Sequence, residues 1–109
     1  RDWARFGLLF LNNGVFAGDT ILSKEWVEFM KTPAEPSDGK YAGTFWLEES
    51  KPERELTDAP DDLFFADGFL GQRVYIIPSK KLVAVRLGCG LSNFNMNNFL
   101  NEVIKTLPE

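Results

Sequence analysis

The sequence has no histidine and only one cysteine, Cys89, among its 109 residues. Without histidine there is no imidazole general base and no histidine-ligated metal site, and no metal or other cofactor is expected. With one cysteine there is no internal disulfide framework. Cys89 lies between Gly88 and Gly90 and reads as an inert strand-end residue, since an isolated cysteine usually packs as a small hydrophobe. Long apolar runs are also missing: no stretch approaches the roughly 20 residues of a membrane-spanning helix. Positive charge is sparse. Twelve Lys and Arg stand against sixteen Asp and Glu, a formal net charge of −4. Arg73, Lys80, Lys81 and Arg86 are interleaved with aliphatic residues, so they make no basic stripe for a nucleic-acid backbone.

What is present suits one small folded domain, residues 1–109. A chain of this length buries about two-thirds of its unfolded surface, and ten Phe and three Trp supply large core residues. The chain opens on "RDWARFG", already inside a helical pattern, with Asp2 the one candidate N-cap. That opening reads as part of a longer protein.

Hydrophobic spacing sets the elements. Residues 2–12 read as a helix with Trp3, Phe6 and Phe10 on one stripe, widened by Leu8 and Leu11 and stopped by Asn13-Gly14. "VFAGDTIL" reads as a hairpin turning at Gly18-Asp19. Ser23 caps a helix over 24–31 whose Trp26, Val27 and Met30 face inward, and Pro33 and Pro36 follow it. Strands are expected over 44–49, 63–67, 71–78 and 81–88. The polar, acidic stretch 50–62 is expected to be a mobile surface loop. Met96, Phe99, Leu100, Val103, Ile104 and Leu107 mark a last helix over 95–107, capped by Asn95 or Asn93 and followed by Pro108.

The hairpin register follows from its turn. If Pro78 faces Lys81, Val74 faces Val85 and Ile76 faces Val83 on one face. Ile77 then faces Leu82, and Tyr75 faces Ala84, on the other. A sheet apolar on both faces needs cover on both sides, which the three helices can supply. The same register sets Arg73 opposite Arg86. Like charges directly opposite are destabilising, so a carboxylate from Asp61, Asp62 or Asp67 is expected beside the pair.

Few residues carry recognisable chemistry. Ser37-Asp38-Gly39-Lys40 has the S-x-x-K spacing of hydrolases with a lysine base. That chemistry needs a helix to bring Ser and Lys together, and Pro36 and Gly39 argue against one. The paired acids at 48–49 and 61–62 read as solvated surface. Tyr75 reads as a core residue with its hydroxyl at the rim, and Trp46 as packing. "ADGFLGQRVYIIPSKK" (66–81) is more suggestive. Asp67-Gly68 makes a turn, and Gly71 starts the next strand. A backbone N–H beside such a glycine can also face a developing negative charge, as in an oxyanion hole.

"RDWARFGLLFLNNG", "ILSKEWVEFMKTP" and "DGFLGQRVYIIPSKKLVAVRLG" resemble, in that order, the C-terminal portion of the serine beta-lactamase-like family. The family includes class C beta-lactamases, D-alanyl-D-alanine carboxypeptidases (penicillin-binding-protein fold), esterases and 6-aminohexanoate-dimer hydrolase. The esterase and dimer-hydrolase branch is the nearer. The resemblance implies an α+β fold: an antiparallel sheet of at least three strands flanked by helices, the C-terminal part of a beta-lactamase/transpeptidase-like α/β sandwich. It implies a serine hydrolase whose nucleophilic Ser, Lys base and Tyr lie upstream of these residues, so the chain alone is expected to be inactive. The family's third motif falls on Ala66-Asp67-Gly68 as substrate-binding residues, with the Phe69 backbone N–H as one oxyanion donor. Phe69-Leu70-Gly71 is the alternative placement. Where many relatives carry a cation for a substrate carboxylate, this chain has Ala66 or Phe69, with Asp67 nearby. A small neutral or cationic ester or amide is the implied substrate. The family is often extracytoplasmic, with any leader upstream. A non-catalytic α/β binding or interaction module derived from the family is the alternative reading. In the family the strand at 81–88 pairs with an upstream strand. Alone, that edge is apolar and unpaired, and a homodimer is expected through it.

Overall fold

The computed structural model describes residues 1–37, 40–47, 58–69, 72–88 and 95–108. Three helices, α1 (Asp2–Leu11), α2 (Lys24–Lys31) and α3 (Met96–Lys105), accompany a two-stranded ribbon and a four-stranded sheet. The ribbon is β1 (Val15–Phe16) with β2 (Asp19–Thr20). The sheet runs β3 (Trp46–Leu47), β4 (Phe64–Asp67), β5 (Arg73–Ile77), β6 (Leu82–Arg86), in that order and antiparallel throughout. The α+β class expected from the sequence is the class found.

The β5–β6 register is the one the turn implied. Val74 faces Val85, Tyr75 faces Ala84, Ile76 faces Val83, Ile77 faces Leu82, and Arg73 faces Arg86. Pro78–Lys80 forms a short 3-10 turn closed by Lys81 N–H donating to Pro78 O at 3.0 Å, with Lys81 left-handed at φ 50°. Pro78 has no N–H for the ladder, which ends β5 at Ile77.

Both sheet faces are covered. Tyr75, Ile77, Phe65 and Ala84 pack on one side with Met96 and Leu100 of α3. Val74, Ile76 and Phe64 pack on the other with Phe10 of α1, Val27 of α2 and Phe45. Full burial of side chains such as Ile76, Ile77 and Phe64 stabilises the fold by roughly 1.5–3 kcal/mol each. On the α1 side, edge-to-face ring pairs link Trp3, Phe6, Phe10, Phe45 and Phe64, with centroids 4.8–5.7 Å apart. α1 itself lies close to the sheet because Gly7 is buried over β5 and β6. A Cβ there would come within 2.5 Å of Val83 Cγ1.

The caps show where sequence reading succeeds and where it slips. Ser23 accepts from Trp26 N–H, and Asn95 accepts from Asn98 N–H, both as expected. Asn13 and Gly14 take φ 57° and 92° after α1, the left-handed stop expected there. Asp2, however, is not the N-cap of α1. Arg1 holds that position without a side-chain hydrogen bond, and Asp2 sits in the first turn paired with Arg5 at 2.9 Å. The ribbon turns at Ala17-Gly18, one residue earlier than expected. Both have positive φ, 52° and 85°, as a two-residue primed turn requires. Trp26 does not face inward. It is 54% exposed and stacks on Phe29 of the same helix at 5.3 Å, because only the Val27–Met30 side of α2 meets the sheet. Trp3 and Phe6 are also largely outside the core, at 53% and 39% exposure, leaving Phe10 and Gly7 as the buried face of α1.

Residues 58–62, the described end of the expected mobile loop, are anchored. Asp58 and Asn97 exchange hydrogen bonds of 3.0 and 2.8 Å, and Ala59 is buried in the core. Residues 48–57, Gly71, Cys89 and Gly90 lie outside the described residues.

Candidate functional site

The ends of β4, β5 and β6 converge on one side of the sheet. Here Asp67 faces Arg73, and Arg73 faces Arg86, so an acid and two bases form one row across three strands. Asp67 is the carboxylate expected beside the arginine pair: Arg73 Nε donates to its Oδ1 at 3.0 Å. Arg73 is further held by Tyr75, to whose hydroxyl it donates at 3.4 Å, and by the Phe65 ring, 4.8 Å from centroid to guanidinium carbon. Its charge is balanced within the fold. Asp62 acts at the other end of the hairpin. It accepts from Ser79 N–H at 2.6 Å and from Ser79 Oγ–H at 2.8 Å, tying down the β5–β6 turn.

Asp67-Gly68 is not the turn itself, as expected from the dipeptide. Asp67 is still in the ladder opposite Arg73, and Gly68 N–H donates to Gln72 O at 2.7 Å, one rung further. Gly68 matters as a close approach rather than for positive φ: a Cβ there would sit 3.3 Å from Gln72 Cβ and 3.4 Å from its carbonyl oxygen. Phe69 follows with its side chain 86% exposed. Leu70 and Gly71, and with them the alternative Phe69-Leu70-Gly71 placement, extend outside the described residues.

A cleft of about 330 Å³ opens at this end of the sheet, lined by Ala66, Asp67, Gly68 and Gln72 with Trp3 and Leu87 among its walls. Ala66, Asp67 and Gly68, the residues on which the family resemblance places substrate binding, are thus together on one wall. Gln72 fixes another part of the rim. Its Oε1 accepts from Gly88 N–H at 2.8 Å, and its Nε2 donates to Gly88 O. That side chain extends the β5–β6 pairing beyond Arg86.

Sequence reading missed Trp3, Gln72 and Leu87 as cleft residues. Extending the hairpin register by one step beyond Arg73–Arg86 would have set Gln72 opposite Leu87. Trp3 had no such signal, since α1 reaches the cleft only through tertiary packing.

The other candidate groups are placed as follows. Ser37 ends a 3-10 turn, Glu35–Ser37, and Asp38-Gly39 lies outside the described residues. Ser23 caps α2 and Ser79 is bound by Asp62. Trp46 packs edge-to-face on Tyr41 at 4.7 Å. Tyr75 is fully buried, with its hydroxyl meeting Arg73. Among the described residues no group of three or more His, Cys, Asp or Glu could hold a metal ion, and no helix is long and apolar enough to cross a membrane. Compared with models of known protein families the chain matches none, and comparison with curated proteins gives no significant match.

Proposed function

We propose that these residues are the C-terminal segment of a serine hydrolase of the beta-lactamase-like type, acting on small esters or amides. The nucleophilic Ser, its Lys base and a Tyr belong to sequence upstream. The observation that carries this reading is the cleft. The backbone of Ala66-Asp67-Gly68 runs along an open wall at a strand end, with Phe69 immediately beyond it. In this reading the Phe69 N–H and the nucleophile's own N–H stabilise the oxyanion while the upstream serine attacks the carbonyl. The leaving group departs on protonation, and water releases the acyl enzyme. The ion pair between Asp67 and Arg73 supports an uncharged or cationic substrate, because Arg73 already has its carboxylate.

One observation favours a second reading, a non-catalytic binding module. The sheet is covered on both faces by the chain's own helices, as a self-standing domain requires. Ester hydrolysis separates the two. The hydrolase reading expects turnover of p-nitrophenyl esters by the protein carrying the upstream Ser-x-x-Lys. It also expects none by the 109-residue chain, with or without Ser37→Ala. Turnover by the isolated chain that survives Ser37→Ala overturns it.

A further inference from the structure

We propose that the cleft at the ends of β4 and β5 takes an uncharged aromatic ring, that it rejects charged groups, and that Trp3 is its specificity-determining residue. The substrate of the proposed hydrolase, on which this inference rests, is then an ester or amide with an uncharged aryl group rather than a cationic one.

Strand alternation sorts the cleft wall. Successive side chains leave a strand on opposite faces. Phe64, Ala66 and Val74 pack on the α1 side of the sheet, and Phe65 and Tyr75 on the α3 side. Asp67 and Arg73 therefore project to the α3 side. There the Arg73 guanidinium stands over the Phe65 and Tyr75 rings and holds the Asp67 carboxylate. Arg86, two residues after Ala84, projects to that side as well. Leu87, two residues after Val85, belongs to the α1 side with Trp3.

The α1 side of the cleft is thus uncharged. Trp3, Ala66, Val74 and Leu87 are apolar, and Gly68 adds no side chain between Ala66 and Gln72. The Gln72 amide is committed to the Gly88 backbone. Among the described lining residues no charged side chain faces a ligand here, so a charged group would lose water without gaining a partner. An uncharged ring pays no such penalty. The space fits one: about 330 Å³, against the apolar cavity of about 150 Å³ that takes benzene. Trp3 is 53% exposed, with only its edge-to-face contact to Phe6 on α1. Its indole offers a ring partner, and aromatic pairs gain more than their buried area.

Benzamide, benzamidinium and benzoate test this, because they present one ring in neutral, cationic and anionic form. Benzamide titrated into the 109-residue chain should give saturable NMR shifts at the Trp3 indole N–H and at the Ala66, Gly68 and Leu87 amides. Benzamidinium and benzoate should bind about tenfold more weakly or worse. Trp3→Ala should weaken benzamide about fivefold or more, and Trp3→Phe should keep most of the affinity. Leu87→Asp, at a position 61% exposed, should turn the preference toward benzamidinium with the unfolding temperature retained. A charged ring binding as well as benzamide, shifts confined to the α3 side, undiminished benzamide affinity in Trp3→Ala, or no benzamide binding to the folded chain would overturn the proposal. None of these outcomes changes covalent labelling of an upstream serine, so a failure here is distinct from a failure of the hydrolase reading.

Discussion

Asp67 and Arg73 face each other across β4 and β5, and their side chains meet at 3.0 Å beside a second arginine, Arg86. The arginine side chain is 11% exposed and the aspartate 32%, so the pair is partly shielded from water. Asp67→Asn should destabilise the fold by about 1–2 kcal/mol, more than a surface pair and less than a fully buried one. Urea unfolding measures it. The double variant Asp67→Asn with Arg73→Met should recover part of the loss.

Gln72→Ala should release Gly88. Two hydrogen bonds join the Gln72 amide to the Gly88 backbone, and each contributes about 1 kcal/mol. The expected result is faster amide exchange at Gly88, with exchange at Tyr75 and Ile76 nearly unchanged.

Gly7→Ala should be destabilising although alanine favours helices. The new Cβ would lie 2.5 Å from Val83 Cγ1 and 3.1 Å from Val74 Cγ1, and valine has little rotamer freedom to yield. Overpacking of about 1–3 kcal/mol outweighs a helix-propensity gain of about 1 kcal/mol. Adding Val83→Ala should restore stability, which thermal unfolding would register.

Asp62→Ala should loosen the tip of the β5–β6 hairpin. Ser79 loses both of its bonds to the carboxylate, a cost of roughly 1–2 kcal/mol. Proteolysis at Lys80 or Lys81 should become faster.

These four sites show what a sequence reveals. The Arg73–Arg86 pairing, the carboxylate beside it and the two-sided core were legible, because the period of two in a strand and the turn at Pro78–Lys80 fix every partner in the hairpin. The caps at Ser23 and Asn95 were legible because capping is local. The outward position of Trp26 and the arrival of Trp3 at the cleft were not. Helical spacing says which residues share a stripe, but contact with other elements decides which part of the stripe is buried. Asp67-Gly68 continues the ladder where a turn was expected, because dipeptide preference carries no information on ladder length. Ala66, Asp67 and Gly68 were placed by family resemblance, and the fold brings them to one cleft wall.

The central claim is that the cleft wall formed by Ala66-Asp67-Gly68 serves a serine nucleophile supplied from upstream sequence. Fluorophosphonate labelling of the full-length protein carrying this segment, with the modified peptide mapped by mass spectrometry, tests it most directly. The expected result is one labelled serine, outside residues 1–109 and three residues before a lysine, with labelling lost when Gly68→Val fills the wall. A label on Ser37 or on any other serine of these 109 residues, or no label on the folded full-length protein, would contradict it.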